Sequence, residues 1–185
     1  MNTTRLETLT SIEDSIWREL GRAVHDKGHG WRMAVLATLD QGAADARSVV
    51  LRDLELQSRT LLIYTDSRSP KAQQMQAQPL GKLVLWSEPL GWQLRLSVSL
   101  TLETSGLRVS SRWAQLKLTP AAHDYLSPLP PGSVLSGATP APERTSRDHF
   151  AVIAARVDAV DWLELRPEGQ RRARFDAAGA AWLTP

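Results

Sequence analysis

Two short apolar runs followed by a helix start, between residues 47 and 71, constrain the fold of this chain most. Residues 49–51 and 61–64 are β-branched or otherwise apolar, and the stretch between them, residues 54–59, is polar enough to turn. They predict a pair of adjacent strands. The pattern then changes at Ser69 and Pro70, which suit the N-cap and the first position of a helix. We therefore predict a short helix that begins just past a strand end.

Cations surround this predicted helix start. Arg47 and Arg52 flank the first strand, and Lys71 stands in the first helical turn. Unpaired N–H groups and the positive end of the helix dipole favour an anion there, and a lysine at that place is mildly unfavourable without one. The sequence therefore predicts a seat for a phosphate-type anion, although both arginines also fit plain surface positions. Strand alternation puts residues 47 and 52 on opposite faces, so one ligand meets both only if the strand twists, bulges or ends between them.

The rest of the chain predicts further strands and a few helices. Ser11 and Asp14 resemble a capping box, and apolar residues recur every four positions after it. A glycine in Asp40-Gln41-Gly42 suits a hairpin turn. Helices are predicted over residues 11–26, 107–118 and 120–126, strands over 31–39, 45–54, 82–86, 92–103, 150–165, 171–175 and 180–183, and a proline-rich loop over 127–147. This pattern indicates a mainly β fold, a small barrel with helices outside it.

Composition limits the classes of protein that this chain can belong to. Its 185 residues suit one domain, residues 1–185. The chain has no cysteine, no apolar run of membrane-spanning length and no apolar leader, so we expect a cytoplasmic protein with no membrane association. A net charge of +2 with scattered arginines gives no reason to expect a nucleic-acid partner. The four histidines are too dispersed for a metal motif, so no metal site is predicted.

Four motifs in order resemble the FMN-binding core of the pyridoxamine 5′-phosphate oxidase family. They are Arg-x-Val-Val-Leu-Arg at residues 47–52, the pair Tyr64-Thr65, the helix start Ser69-x-Lys71, and Gln93 near the start of a later strand. The resemblance covers roughly residues 30–105 and returns at Trp162 and Arg174. It implies an FMN-binding split β-barrel with peripheral helices, built as a homodimer that binds FMN between two subunits.

The resemblance also implies a set of cofactor contacts. In the family, Trp162 and Arg174 correspond to residues contributed across the dimer interface, and Arg52 corresponds to a lysine on the substrate side of the flavin. Two of these residues also have purely structural interpretations. Trp162 suits a hydrophobic core, and Gln93 suits the solvent-exposed face of a strand. The expected FMN contacts are Arg47, Ser48, Val49, Val50, Tyr64, Thr65, Ser69, Lys71, Gln93, Trp162 and Arg174.

Three departures from the family pattern affect the expected substrate. Pro70 replaces a phosphate-binding arginine, leaving open whether Arg68 takes its place. The segment 125–133, which corresponds to the substrate-phosphate segment, has no arginine, and residues 170–174 lack the family's histidine. The resemblance therefore implies an FMN-dependent oxidoreductase acting on a small molecule other than pyridoxamine 5′-phosphate. Two alternatives stay open: a non-catalytic flavin-binding or ligand-sequestering dimer, and an interaction module without a cofactor.

Overall fold

A computed structural model of the chain describes residues 5–135, 137–138 and 147–185. Part of the predicted loop over 127–147, residues 136 and 139–146, therefore lies outside the described residues. Within them the prediction of a mainly β fold with a few helices is confirmed.

The described residues form eight antiparallel strands: β1 Met33–Asp40, β2 Ala43–Glu55, β3 Thr60–Asp66, β4 Leu80–Ser87, β5 Trp92–Glu103, β6 Phe150–Glu164, β7 Arg171–Asp176 and β8 Gly179–Leu183. They make one sheet in the order β3-β2-β1-β4-β5-β6-β7-β8. The long β6 pairs with β5 and β7, and its first half also pairs with β3, which closes β1 to β6 into a barrel and leaves β7 and β8 as an extension.

Two local features of β2 bear on the site. The β1–β2 turn uses Gln41 and Gly42, both with positive φ (49° and 88°), the conformation that matches the twist of a two-residue hairpin. At the other end the register with β3 shifts between Leu51 and Asp53, so Arg52 lies at a bulge. Strict alternation of side chains along β2 is therefore interrupted at Arg52. This is one of the conditions under which Arg47 and Arg52 could meet the same ligand.

Three α-helices and two 3-10 turns lie outside the strands. They are α1 Leu9–Ala23, α2 Pro70–Ala77 and α3 Leu107–Leu116, with 3-10 turns at Gly30–Arg32 and Pro120–Tyr125. Helix α1 starts earlier than predicted, because Thr8 is its cap and accepts a hydrogen bond from the Ser11 N–H at 3.2 Å. The helix predicted over 120–126 is instead a single 3-10 segment, and the strand predicted from residue 31 begins at Met33 because Trp31 lies in the other turn. None of the helices in the described residues is long and apolar enough to cross a bilayer.

The apolar residues form two cores. The larger fills the barrel, and α1 packs on it through residues such as Ile12, Ile16 and Leu20. The smaller lies under α3 and the second 3-10 turn, around Phe150 on β6. This second core holds Tyr64 against the segment that follows α3, and so joins the end of β3 to the predicted substrate side.

Candidate functional site

The predicted anion seat lies where β3 passes into α2. Thr65 is near the end of β3, Ser69 is the N-cap of α2, and Pro70 occupies the first helical turn. Both hydroxyl side chains are buried, and their oxygens are 3.3 Å apart. Ser69 makes no side-chain capping hydrogen bond to the helix, so its hydroxyl is not committed to the first-turn N–H groups. The chain thus places two hydroxyls and a helix N-terminus together.

Arg47 reaches this seat from the inner face of β2. Its guanidinium donates to Thr38 Oγ1 at 2.6 Å and to Gln74 Oε1 at 2.9 Å, and it forms an ion pair with Asp45. Gln74 on α2 in turn donates to Asp45 at 2.8 Å, so strand and helix are linked through one polar network. Sequence reasoning missed Thr38, Asp45 and Gln74, because only the pairing of β1, β2 and α2 in space brings them together.

Lys71 lies beside this network without an ion pair among the described residues. Burial lowers the pKa of the Lys71 ammonium, the nearby Arg47 charge lowers it further, and Asp66 partly opposes the effect. Asp45 remains ionised, since hydrogen bonding from Gln74 and the charge of Arg47 hold its pKa below the usual value. Arg47 is thus paired with Asp45 and Arg68 with Asp66, which leaves the Lys71 charge without a carboxylate of its own. A bound phosphate dianion would relieve this imbalance, so the residues present fit the phosphate of FMN.

Arg68 lies in the same turn as Pro70, but its guanidinium is bonded to partners outside the anion seat. Its Nε and Nη2 donate to the two oxygens of Asp66 at 3.0 and 2.6 Å. The same guanidinium donates to the backbone carbonyls of Ser127, Pro128 and Leu129. It is thus committed to its own turn and to a distant segment.

Arg52 belongs to a second group, on the predicted substrate side. The bulge in β2 places its guanidinium 5.6 Å from the centre of the Tyr64 ring, and its Nε is buried without a partner among the described residues. Burial raises the pKa of Tyr125, and a hydrogen bond from Arg52 opposes that rise. The structure therefore joins Arg52 to the segment that the family resemblance assigns to substrate.

A third group lies on the outer face of the sheet. In β2, Ser48 and Val50 point outward, while Val49 is buried on the side of Arg47. Gln93 on β5 lies on this outer face as well.

Asp161 on β6 connects the outer-face charges near β7. It accepts from Arg95 at 2.5 Å and from Arg172 at 2.7 Å, and Arg174 pairs with Asp176. Side chains of β4, β5, β6 and β7 line an open groove of about 440 Å³, and Arg174 is one of them.

Trp162 lies apart from all three groups. Its side chain is fully buried, packs edge-on against Trp92 at 5.4 Å between ring centres, and has Arg171 over its ring. This position corresponds to the core alternative that the sequence left open. Of the predicted contacts, the structure brings together Arg47, Thr65, Ser69 and Lys71, and separately Arg52 and Tyr64, while Ser48, Val50, Gln93 and Arg174 lie on the outer face.

Comparisons with known proteins agree with this architecture. Residues 14–103 match the sequence model described as pyridoxamine 5′-phosphate oxidase, FMN-binding domain. No curated protein matches the chain. A pyridoxamine 5′-phosphate oxidase-related, FMN-binding protein from Nostoc punctiforme is similar in structure, with a TM-score of 0.72, 23% identity, and coverage of 98% of this chain and 100% of that one.

Two further solved structures share the fold at lower identity. PhzG from Burkholderia lata, in complex with tetrahydrophenazine-1-carboxylic acid, has a TM-score of 0.75 and 15% identity over the whole of both chains. ChuZ from Campylobacter jejuni has a TM-score of 0.62 and 10% identity over 96% of this chain and 64% of that one. These neighbours carry the split-barrel fold that the sequence predicts.

Proposed function

Because residues 14–103 belong to the pyridoxamine 5′-phosphate oxidase FMN-binding domain family, we propose that this protein binds FMN and oxidises or reduces a small molecule with it. The observation that carries the proposal is that Arg47 and Lys71 lie near each other beside α2, where Arg47 is ion-paired with Asp45 and Lys71 has no ion pair among the described residues. A phosphate dianion is the ligand that this balance of charge favours.

The chain's own residues divide the work of holding the cofactor. Arg47 and Lys71 supply charge to the phosphate, and the hydroxyls of Thr65 and Ser69 supply donors beside it. The carboxamide of Gln93 both donates and accepts, which suits the nitrogen and oxygen edge of a flavin ring. FMN, when bound, supplies the electron and hydride chemistry, and the protein contributes binding, orientation and electrostatics.

A homodimer is part of the proposal, because the expected FMN contacts lie on different faces of one chain. The seat at α2 is on the inner side of β2, whereas Gln93 and Arg174 are on the outer face of β5 and β7. The outer face of β1 also exposes Met33 and Val35. A second copy packed on this face would cover them and place its own Gln93 and Arg174 at the cofactor, in an interface above roughly 2,000 Å².

The substrate of the proposed enzyme is a small molecule without a phosphate group. The segment 125–133, which corresponds to the family's substrate-phosphate segment, has no arginine, and the Leu129 carbonyl within it accepts from Arg68. Arg52 with Tyr125 offers one guanidinium, which suits a single negative charge better than a dianion. The carboxylic acid bound by PhzG is a ligand of this kind. We place the reaction in the cytoplasm.

A non-catalytic flavin-binding or ligand-sequestering dimer is the second candidate. The lack of an arginine in segment 125–133 favours this candidate. A chain that keeps the cofactor seat and loses the substrate cation is what a flavin-binding protein without catalytic activity would look like. Bleaching of bound FMN by candidate reductants, followed by reoxidation, separates the two candidates.

Titration of the apoprotein with FMN and with riboflavin tests the proposed cofactor site. We expect FMN to bind at least about tenfold more tightly, because riboflavin lacks the phosphate that Arg47 and Lys71 would hold. Equal affinities for the two flavins would contradict the proposed phosphate seat.

A further inference from the structure

Arg68 joins the start of α2 to the segment that follows the second 3-10 turn. It lies between Thr65 and Ser69 in sequence, within the turn that forms the cofactor seat. Its three nitrogens are within hydrogen-bond distance of five acceptors: the two Asp66 oxygens and the carbonyls of Ser127, Pro128 and Leu129 at 2.8, 3.0 and 3.3 Å. Three of these acceptors share the two protons of Nη2. One guanidinium therefore bridges about sixty residues of chain.

The Asp66 side of this bridge is rigid. The Asp66 carboxylate is buried and also accepts from the Arg68 backbone N–H at 2.8 Å. Hydrogen bonding to Asp66 raises the pKa of Arg68. A two-point pair of this kind fixes the plane of the guanidinium as well as its position.

The other side of the bridge has few bonds of its own. Proline at residues 128, 130 and 131 removes backbone donors, so this segment cannot be secured by a strand ladder. Ser127 makes a local turn by bonding to Leu129, and Ser133 bonds to Pro130. The contacts from Arg68 are therefore the main tie of residues 127–129 to the barrel among those described.

This tie reaches the predicted substrate side. Tyr125, two residues before the tied carbonyls, packs against Tyr64 and Phe150. The charge of nearby Arg52 opposes the rise that burial causes in the Tyr125 pKa. A shift of residues 127–129 would move Tyr125 with them, because only Leu126 separates the two.

We propose that Arg68 is a positioning residue that couples the cofactor seat to the substrate-side segment 125–133. Occupation of the seat beside Thr65 and Ser69 steadies the turn that carries Asp66 and Arg68, and Arg68 passes that order to the segment. The coupling rests on the proposed FMN function, whereas the tie itself does not.

Hydrogen exchange of the apoprotein and the FMN-loaded protein tests both parts, with wild type, Arg68→Ala, Arg68→Lys and a control, Arg156→Ala. Arg156 is exposed and has an ion pair with Asp158 at 3.1 Å. In apoprotein we expect Arg68→Ala to speed exchange of the non-proline amides in residues 125–133 by about tenfold or more. Exchange in Arg68→Lys should be intermediate, because an ammonium keeps the ion pair with Asp66 but lacks the planar guanidinium that bonds to Asp66 and the carbonyls at once. Arg156→Ala should match wild type.

The FMN-loaded arm tests the coupling. FMN should slow exchange in residues 125–133 of wild type and of Arg156→Ala but not of Arg68→Ala. FMN affinity is compared in the double variant Asp66→Asn/Arg68→Ala, because Arg68→Ala alone leaves the buried Asp66 carboxylate unpaired beside the seat, and we expect a change of less than about threefold. An affinity loss of about tenfold in this double variant would show that Arg68 is a phosphate ligand and overturn the proposal. Unchanged exchange in Arg68→Ala apoprotein would also overturn it.

Two other outcomes are decisive as well. If wild type binds no FMN, the proposed function and the coupling both fail, and the apoprotein comparison still decides whether Arg68 holds the segment. If Arg68→Ala does not fold, judged by circular dichroism, Arg68→Lys supplies the same comparison, and exchange equal to wild type in that variant contradicts the need for a guanidinium.

Discussion

Replacement of Arg47 by alanine removes the cation that joins β2 to α2 at the proposed phosphate seat. The substitution leaves the rest of the network connected, since Thr38 still donates to Gln74 at 2.6 Å and Gln74 to Asp45 at 2.8 Å. The geometry of the helix start should therefore survive, and the change in FMN affinity should report mainly the lost charge.

The expected loss follows from one charge-assisted hydrogen bond to a largely desolvated anion. Such a bond contributes about 1.5–3 kcal/mol, which is about a ten- to a hundredfold change in dissociation constant. Asp45, freed of Arg47, adds a negative charge near the phosphate, so we expect the upper half of this range at low salt and a smaller effect at high salt.

Fluorescence titration of apoprotein with FMN measures the effect, with Arg52→Ala as the matched control. Arg52 contacts Tyr64 and Tyr125 and is assigned to the substrate side, so its removal should change FMN affinity less. If Arg52→Ala is the weaker binder, the assignment of the two arginines is reversed and the reasoning is refuted.

Three further predictions concern the charge at Lys71, the second copy and the substrate. Lys71→Met should raise the melting temperature of apoprotein and weaken FMN binding, because the lowered pKa of Lys71 means that folding disfavours the protonated ammonium. In wild type, FMN affinity should fall as pH rises through that lowered pKa. A Lys71→Met apoprotein that melts below wild type would contradict this prediction. Val35→Glu should give monomers in sedimentation at micromolar concentration and weaken FMN binding, whereas Leu56→Glu, in a turn where the side chain is more exposed, should do neither; a monomeric wild type would refute the dimer. FMN-loaded protein should oxidise pyridoxamine 5′-phosphate poorly and with little preference over pyridoxamine, since Leu129 offers no cation; efficient turnover near roughly 10⁴ M⁻¹s⁻¹ would point to an arginine recruited from elsewhere.

Much of the fold follows from local sequence pattern. Alternation along β5 predicted both ends of that strand, and Gly42 predicted the β1–β2 turn, because each signal is contained within a few residues. The start of α1 was placed too late, since Thr8 and Ser11 are both acceptable caps and the choice depends on packing. The sequence predicts a helix over residues 120–126, and the structure has a 3-10 helix at Pro120–Tyr125, the tighter geometry that proteins use in short connecting pieces.

Some residues of the candidate site are indicated by local sequence, and others are not. The helix start at Ser69 is visible in sequence because Ser-Pro is a local signal, and Lys71 stands out because a lysine in a first helical turn is unfavourable without an anion. The partners of Arg68 are not visible in sequence, since Asp66 is adjacent but the carbonyls of Ser127 to Leu129 meet it only after the barrel closes. Backbone acceptors carry no residue signature, so no pattern of side chains could have indicated this tie.

The absorption spectrum of the purified protein, followed by identification of the released cofactor, tests the central claim most directly. We expect the two visible bands of an oxidised flavin, release of FMN rather than riboflavin on denaturation, and one FMN for each chain of a dimer. A colourless protein that gains no flavin bands on incubation with FMN would contradict it.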